Sequence, residues 1–196
     1  MKLKSQPTCT DDLLLHFTYE GTFNDVTCHH AIANMYGSGL ATLVSDDGHS
    51  AVRFDGDSYF EVPFIRTFFA GATIREFSIS LWFKQDGAAA GPKAVLVTNG
   101  DCEPPQSFEI FNQGASSVAE CGTTSGTVLS LPSVAVSNDA WQHVAWVYDG
   151  SELRYYLGGS LQQQGNIQGP LMNPDAPLAI GAVCGSGYYS GLLDES

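Results

Sequence analysis

Two predicted turns carry paired aspartates. Asp46 and Asp47 are adjacent, and Asp55 and Asp57 flank a glycine, on either side of a short predicted strand, Ala51 to Phe54. A hard cation such as Ca²⁺ takes about six to eight oxygen ligands, which carboxylates and free loop carbonyls supply. Both turns are therefore candidate calcium sites. The alternative for each is an acidic turn that is simply solvated.

The same carboxylates do not form the pattern of a glycan hydrolase. Such enzymes hold two carboxylates about 5 to 10 Å apart, which on one strand requires acids two or four residues apart. The pattern Glu-x-Asp-x-x-Glu is absent, and the suitably spaced Asp55 and Asp57 lie in a turn. Gly-x-Ser-x-Gly, which marks a serine nucleophile, is absent as well. We therefore expect a binding protein that is not an enzyme.

Aromatic residues supply a second kind of candidate site. Aromatic rings stack on the apolar faces of sugar rings, while nearby polar groups fix the orientation. Two tyrosine pairs are candidates for a carbohydrate platform, Tyr155 with Tyr156 and Tyr188 with Tyr189. The alternative is that these rings belong to the core and rim of a sheet, since strands are rich in aromatic residues.

The charge balance restricts the partners. The 196 residues include 8 Lys and Arg against 21 Asp and Glu, a formal net charge of −13. This charge repels nucleic acid and anionic lipid and attracts cations or surfaces built from cations. No stretch approaches the roughly 20 apolar residues of a membrane helix. We therefore expect neither a nucleic acid nor a membrane as partner.

Five cysteines occur without a CxxC pair or a Cys/His zinc spacing. This pattern predicts disulfides with one leftover thiol, and hence an oxidising compartment outside the cell. A hairpin turn centred on Gly114 would place Ser107 opposite Cys121. Cys102 would then lie beside Cys121, within the limit of about 7 Å between Cα atoms of a disulfide. We therefore predict a bond between Cys102 and Cys121.

The segments of the chain that carry these residues are predicted to form β-strands. Apolar and polar residues alternate in Phe77 to Lys84 and again in Trp141 to Tyr148, whose two faces are both partly apolar, which is typical of a central strand. Asp149-Gly150 predicts a tight turn into a return strand, Glu152 to Leu157. No window keeps a helical period over the ten or so residues of a helix. The other predicted strands are Asp12 to Tyr19, Gly39 to Val44, Ala51 to Phe54, Tyr59 to Pro63, Lys93 to Thr98, Ser107 to Phe111, Ser116 to Cys121, Thr127 to Leu131, Leu178 to Ile180 and Tyr188 to Leu193.

The length suits one large β domain, with 43% hydrophobic residues to form its core. The segments 86–92 and 162–177 are polar or rich in small residues and are interpreted as surface loops of that domain. Met1 to Cys9 lacks the apolar stretch of a signal peptide. We therefore expect a single domain over residues 1–196, excerpted from a longer protein.

Five local patterns follow one another in an order that one family shares. Together they resemble the laminin-G-like, concanavalin A-like domain over nearly the whole chain. The resemblance implies an all-β fold, a two-sheet antiparallel jelly-roll sandwich. The patterns are Leu13-Leu-Leu-His-Phe17, Phe54-Asp-Gly56 ahead of Tyr59-Phe-Glu-Val62, Phe77-Ser-Ile-Ser-Leu-Trp82, Trp141-Gln-His-Val-Ala145 with Tyr148-Asp-Gly150, and Gly191-Leu-Leu-Asp-Glu195.

A narrower resemblance concerns the first third of the chain. Cys9-Thr-Asp-Asp-Leu-Leu-Leu-His-Phe17, Phe23-Asn-Asp-Val-Thr-Cys28 and Glu61-Val-Pro-Phe-Ile-Arg-Thr-Phe-Phe69 are similar to the laminin-G-like domain of mollusc shell matrix proteins of the Pif type. This resemblance implies a secreted, acidic protein of the extracellular matrix that is associated with chitin and calcium carbonate.

In the resembled fold the first and last strands lie side by side and antiparallel. This arrangement implies a third candidate calcium site, Asp25 with Asp194. It also brings Cys184 toward Cys28, whereas a loop that folds back would instead pair Cys9 with Cys28. Both pairings stay open.

The leading hypothesis from the sequence is a non-enzymatic matrix module that engages calcium, as a candidate cofactor, or calcium carbonate mineral in shell formation. The alternative is a lectin-like module whose ligand is a polysaccharide such as chitin, with the acidity serving solubility.

Overall fold

The computed structural model describes residues 13–63, 73–87, 92–99, 107–172 and 176–195. These residues form fifteen strands and no helix. No segment of this described part is a helix long and apolar enough to span a membrane. The strands are β1 (Asn34–Gly37), β2 (Thr42–Asp46), β3 (His49–Asp55), β4 (Ser58–Val62), β5 (Phe77–Gln85), β6 (Ala94–Asn99), β7 (Phe108–Gln113), β8 (Ser116–Gly122), β9 (Val128–Ser130), β10 (Val134–Ala135), β11 (Gln142–Tyr148), β12 (Glu152–Leu157), β13 (Ser160–Asn166), β14 (Leu178–Ile180) and β15 (Ser190–Asp194).

The strands form two antiparallel sheets. The eight-stranded sheet has the order β1-β4-β14-β6-β7-β8-β10, with β9 also paired to β8. The seven-stranded sheet has the order β13-β12-β11-β5-β15-β3-β2. Neighbours in space are often distant in sequence, as in a jelly roll. The predicted all-β, two-sheet antiparallel sandwich is confirmed.

The core lies between the two sheets and contains aromatic contacts from one sheet to the other. The ring centroids of Phe54 on β3 and Phe60 on β4 are 5.4 Å apart, and those of Phe77 on β5 and Phe108 on β7 are 5.0 Å apart. Trp146 of β11 is 1% exposed. Burial of each large apolar side chain stabilises the fold by about 1.5–3 kcal/mol, so these contacts hold the sheets together.

The alternation within β5 and β11 sets the two faces of the seven-stranded sheet. Leu81 and Phe83 are fully buried on the inner face. Trp82, between them, lies on the outer face directly opposite His143 of β11. As predicted, β11 is a central strand, with β12 and β5 as its neighbours.

Two of the predicted elements differ from the observed ones. Residues 13–19 form no strand, although the sequence predicts one for Asp12 to Tyr19, of which Asp12 lies outside the described residues. The resemblance implies that the last strand lies beside this first one, but the neighbours of the last strand, β15, are β3 and β5. Conversely, β13 occupies part of the predicted loop 162–177. The turn Gly158-Gly159 has both φ angles positive, as a two-residue hairpin turn requires, and an edge strand tolerates polar residues.

The predicted disulfide between Cys102 and Cys121 is wrong, because Cys121 is a free, buried thiol. The hairpin turn comprises two residues after Gln113, so the Cα partner of Cys121 is Phe108 and not Ser107. Directly opposite residues of an antiparallel pair share a face of the sheet, so Cys121 lies with Phe108 in the core.

Of the other four cysteines, Cys28 and Cys184 are disulfide-bonded. Cys9 and Cys102 lie outside the described residues. The alternative pairings therefore remain predictions.

The burial of Cys121 predicts slow alkylation. Burial raises the pKa of its thiol to about 12, and the thiolate is the reactive form. We expect iodoacetamide at pH 8 to label Cys121 in the folded protein on the order of 100-fold more slowly than in urea. Mass spectrometry of the Cys121 peptide measures this rate. Equal rates in the two conditions would contradict the burial.

Candidate functional site

Four aromatic side chains lie side by side on the outer face of the seven-stranded sheet. The His49 ring stacks on Trp141 at 4.1 Å between centroids and lies 5.1 Å from Trp82, which in turn lies 5.2 Å from His143. All four rings are partly exposed. We call Trp141, His49, Trp82 and His143 the aromatic row.

Carboxylates fix the orientation of two of these rings, Trp141 and His49. The Asp46 carboxylate accepts a hydrogen bond from Trp141 Nε1 at 2.8 Å and one from Lys84 Nζ at 2.7 Å. Its bond with Lys84 lowers the pKa of Asp46 and raises that of Lys84. The Asp194 carboxylate lies 2.8 Å from His49 Nδ1.

These contacts occupy three of the carboxylates predicted to bind calcium. Asp46 and Asp47 both contact Lys84, the latter at 3.3 Å, and Asp194 contacts His49. Across the residues that the structure describes, no group of three or more His, Cys, Asp and Glu side chains is arranged to hold a metal ion.

The predicted tyrosine platform divides between core and surface. Tyr156 is partly exposed on the face of the aromatic row, opposite Ala145. Tyr188 is partly exposed beside Tyr59 of the other sheet. Tyr155 and Tyr189, 1% and 0% exposed, belong to the core, so their assignment to a sugar platform is wrong. Each is next in sequence to an exposed tyrosine, and consecutive residues of an extended chain face opposite ways.

Asp25 anchors the chain that precedes β1. Its carboxylate accepts hydrogen bonds from the backbone N–H of His16, Thr27 and Ala31 at 2.9 to 3.1 Å, and from the Thr27 hydroxyl at 2.5 Å. Burial favours the neutral acid, but these donors outweigh it and lower the pKa of Asp25. The predicted site with Asp194 required the first strand to pair with the last, and residues 13–19 form no strand.

The carboxylates of Asp55 and Asp57 converge. A Cβ atom at Gly39 would lie 1.8 Å from Asp57 Oδ1 and 2.3 Å from Asp55 Oδ2, so this close approach requires glycine. Ser58 donates to Asp55 at 2.9 Å, and Ser38 donates to Asp57 Oδ2 at 2.7 Å. Asp57 Oδ1 is buried without a hydrogen-bond partner. The structure thus brings together the second predicted acidic pair.

The comparison with protein families gives one decisive match. The Laminin_G_3 model, described as the concanavalin A-like lectin/glucanases superfamily, matches residues 54–196. The chain belongs to this superfamily. No curated protein sequence matches it.

Solved structures similar to this member of the superfamily agree on the fold. Domain 4 of AbnA, a GH43 extracellular arabinanase from Geobacillus stearothermophilus, in complex with arabinotriose, has a TM-score of 0.72 at 16% identity over 92% of this chain and 88% of that one. The binding domain of Paraclostridial Mosquitocidal Protein 1 has a TM-score of 0.69 at 12% identity, over 92% and 47%. The receptor binding domain of Botulinum Neurotoxin Type G has 0.69 at 11%, over 94% and 47%. This chain thus spans about half the length of the two toxin domains.

The sequence does not single out the aromatic row as a site. Alternation in β5 does place Trp82 on the face that also carries serine and lysine, and a tryptophan on a polar face is a usable signal. The contacts of His49 with Trp141 and with Asp194 join distant parts of the chain. These contacts depend on the order of the strands in the sheet, which cannot be predicted from the alternation of residues.

Asp25 should stabilise the fold in a pH-dependent way. Asp25→Asn replaces an acceptor of backbone N–H groups with an amide, so we expect the free energy of unfolding at pH 7 to fall by about 2–3 kcal/mol. The pKa of Asp25 is depressed in the folded state. Its contribution is therefore complete above the unfolded pKa of about 4 and is lost as the pH falls through the folded pKa.

Urea denaturation at pH 7 and pH 3 measures this effect. The difference between wild type and variant should be smaller at pH 3. Asp47→Asn is the control, because the Asp47 side chain is 75% exposed and its replacement should change the free energy by less than about 0.5 kcal/mol. Equal effects of the two substitutions at pH 7 would contradict the anchoring role.

Proposed function

We propose that this domain is a non-enzymatic carbohydrate-binding module and that a polysaccharide such as chitin lies across the aromatic row. The observation that carries this proposal is the pair of partly exposed tryptophans, Trp82 and Trp141, with His49 between them. Aromatic rings that are both exposed and held in place offer stacking surfaces for sugar rings.

The preorganisation of the aromatic row supports its proposed role in carbohydrate binding. Trp141 is held by Asp46, and His49 by Asp194, before any ligand arrives. A ligand then loses less binding free energy to the ordering of side chains. Contacts between aromatic rings contribute about 0.5–1.5 kcal/mol beyond the buried area, and we expect a contribution of this order from each ring that stacks on a sugar. Successive contacts along a polymer multiply such small affinities where the geometry permits.

The comparisons support the proposal at the level of the fold. The superfamily description names lectins, and the arabinanase domain was solved in complex with arabinotriose. The same description also names glucanases. The absence of catalysis here is part of the proposal and rests on the missing hydrolase pattern of the sequence. The choice of chitin rests on the resemblance to Pif-type shell matrix proteins.

A second candidate function is the binding of calcium, or of calcium carbonate mineral, in a secreted extracellular matrix. The convergence of Asp55 and Asp57 on Gly39 favours it, because Asp57 Oδ1 is a buried acceptor without a donor. A cation between the two carboxylates would relieve their repulsion and satisfy that oxygen. The net charge of −13 would attract calcium to the surface.

Chitin binding should depend on the exposed tryptophans. We expect Trp82→Ala and Trp141→Ala each to weaken the binding of chitin oligosaccharides by about fivefold or more in calorimetric titration, since each removes a stacking ring. Tyr36→Ala is the matched control, because Tyr36 is 43% exposed but lies on the other sheet. Circular dichroism checks that each variant folds. If the tryptophan variants bind chitin as the wild type does, the aromatic row is not the site.

Calcium should stabilise the protein through the Asp55 and Asp57 pair. We expect calcium at millimolar concentration to raise the melting temperature by about 2–5 °C, because a ligand of the folded state stabilises it by mass action. Asp57→Asn should abolish this shift. Asp46→Asn should keep it, since Lys84 already neutralises Asp46. A wild-type protein that shows no shift with calcium, and no binding to carbonate crystals that a chelator removes, would rule out the second function.

A further inference from the structure

A cavity of about 500 Å³ lies on the outer face of the eight-stranded sheet, on the side of the molecule away from the aromatic row. Phe111, Val118 and Leu131 form apolar parts of its lining. Polar groups come from Lys93 and Glu120. Serine and glutamine side chains add further hydrogen-bonding groups, from Gln113, Ser130 and Ser133.

The glutamate that lines this cavity, Glu120, has a second glutamate beside it in the sheet. Glu109 of β7 is the direct cross-strand partner of Glu120 of β8. Opposite residues of an antiparallel pair have Cβ atoms about 4.5–5.5 Å apart, and like charges there are destabilising. Glu120 is partly exposed, whereas Glu109 is 2% exposed. The pair thus concentrates negative charge at one point of the sheet.

One cation compensates only part of this charge. Lys93 Nζ donates to Glu109 Oε2 and lies 4.2 Å from the centroid of the Phe111 ring. The other oxygen, Glu109 Oε1, is buried and lacks a hydrogen-bond partner. Burial and the charge of Glu120 raise the pKa of Glu109 against the effect of Lys93. Two carboxylates therefore face a single ammonium, and one buried acceptor lacks a donor.

We propose that this cavity binds an amino sugar, with its protonated amine at Glu120 and its ring over the apolar lining. The amine supplies positive charge beside a pair of carboxylates that Lys93 compensates only in part. The ring hydroxyls match the serine and glutamine groups at the rim. The volume of about 500 Å³ is within the range of ligand pockets, about 300–1,000 Å³.

Two other cations fit the cavity less well. A calcium ion takes about six to eight oxygen ligands, whereas this lining is partly apolar and already holds a lysine. A lysine side chain of another protein would bring the ammonium but no hydroxyl groups for Ser130, Ser133 and Gln113. The proposal is independent of chitin binding at the aromatic row, because it concerns the opposite sheet.

Calorimetric titration at pH 6 tests the proposal with three probes, on the whole chain carrying Trp82→Ala and Trp141→Ala so that the proposed chitin site does not contribute. We expect the glucosamine dimer to bind and the N-acetylglucosamine dimer to bind at least tenfold more weakly, since acetylation removes the charge. Lysine amide should also bind at least tenfold more weakly than the glucosamine dimer. Equal binding of the charged and the acetylated dimer overturns the ammonium site, and tighter binding of lysine amide overturns the sugar.

Two variants locate the binding. Glu120→Gln should weaken the binding of the glucosamine dimer about fivefold or more. Glu20→Gln, which removes the same charge from an exposed residue outside the cavity, should leave it unchanged. Because the background protein of these titrations lacks both tryptophans of the aromatic row, failure here is separable from failure of the proposed chitin site. Equal affinity of the background protein with and without Glu120→Gln for the dimer would overturn the assignment to this cavity.

Discussion

The packing of one sheet against the other is the interaction on which the rest of the structure depends. Because side chains alternate along a strand, the burial of Leu81 and Phe83 forces Trp82 and Lys84 to the outer face. A slip of one residue in register would expose this apolar set, at about 1.5–3 kcal/mol for each large side chain. The core therefore fixes the register, and the register sets Trp82 opposite His143. The aromatic row is thus a consequence of what the sandwich buries.

The strong negative charge places a second constraint on the fold, because a buried or half-buried carboxylate requires donors. Asp25 finds them in backbone N–H groups, Asp46 in Lys84 and Trp141, and Asp194 in His49. Asp57 and Glu109 each keep one buried oxygen without a partner. Buried acceptors normally have a hydrogen-bond donor, so these two oxygens are the ones that a cation or a ligand rich in donors would satisfy. The structure thereby separates carboxylates whose oxygens are satisfied by donors from two that keep an unsatisfied buried oxygen.

The sequence predicts the fold better than the sites. Strict alternation located β5 and β11, and the Asp149-Gly150 turn located the hairpin into β12. Alternation does not show which residue begins a turn. The predicted pairing was wrong by one residue, and a disulfide was therefore predicted for Cys121, whose side chain lies in the core. The sequence shows the two tyrosine pairs. Which tyrosine of each pair is buried depends on which face of the chain is turned toward the core. The contact of His49 with Asp194 spans 145 residues and follows from strand order alone.

The two outer faces can differ in chemistry because the core separates them. Packed sheets lie about 10 Å apart, so a substitution on one outer face leaves the other face untouched. A core accepts many combinations of apolar residues of suitable volume. This tolerance explains how this chain shares the sandwich with a sugar-bound domain and two toxin binding domains to which it is only 11–16% identical. The fold thus supplies rigid outer faces, and the few side chains that alternation places on those faces determine which ligand a member of the fold binds.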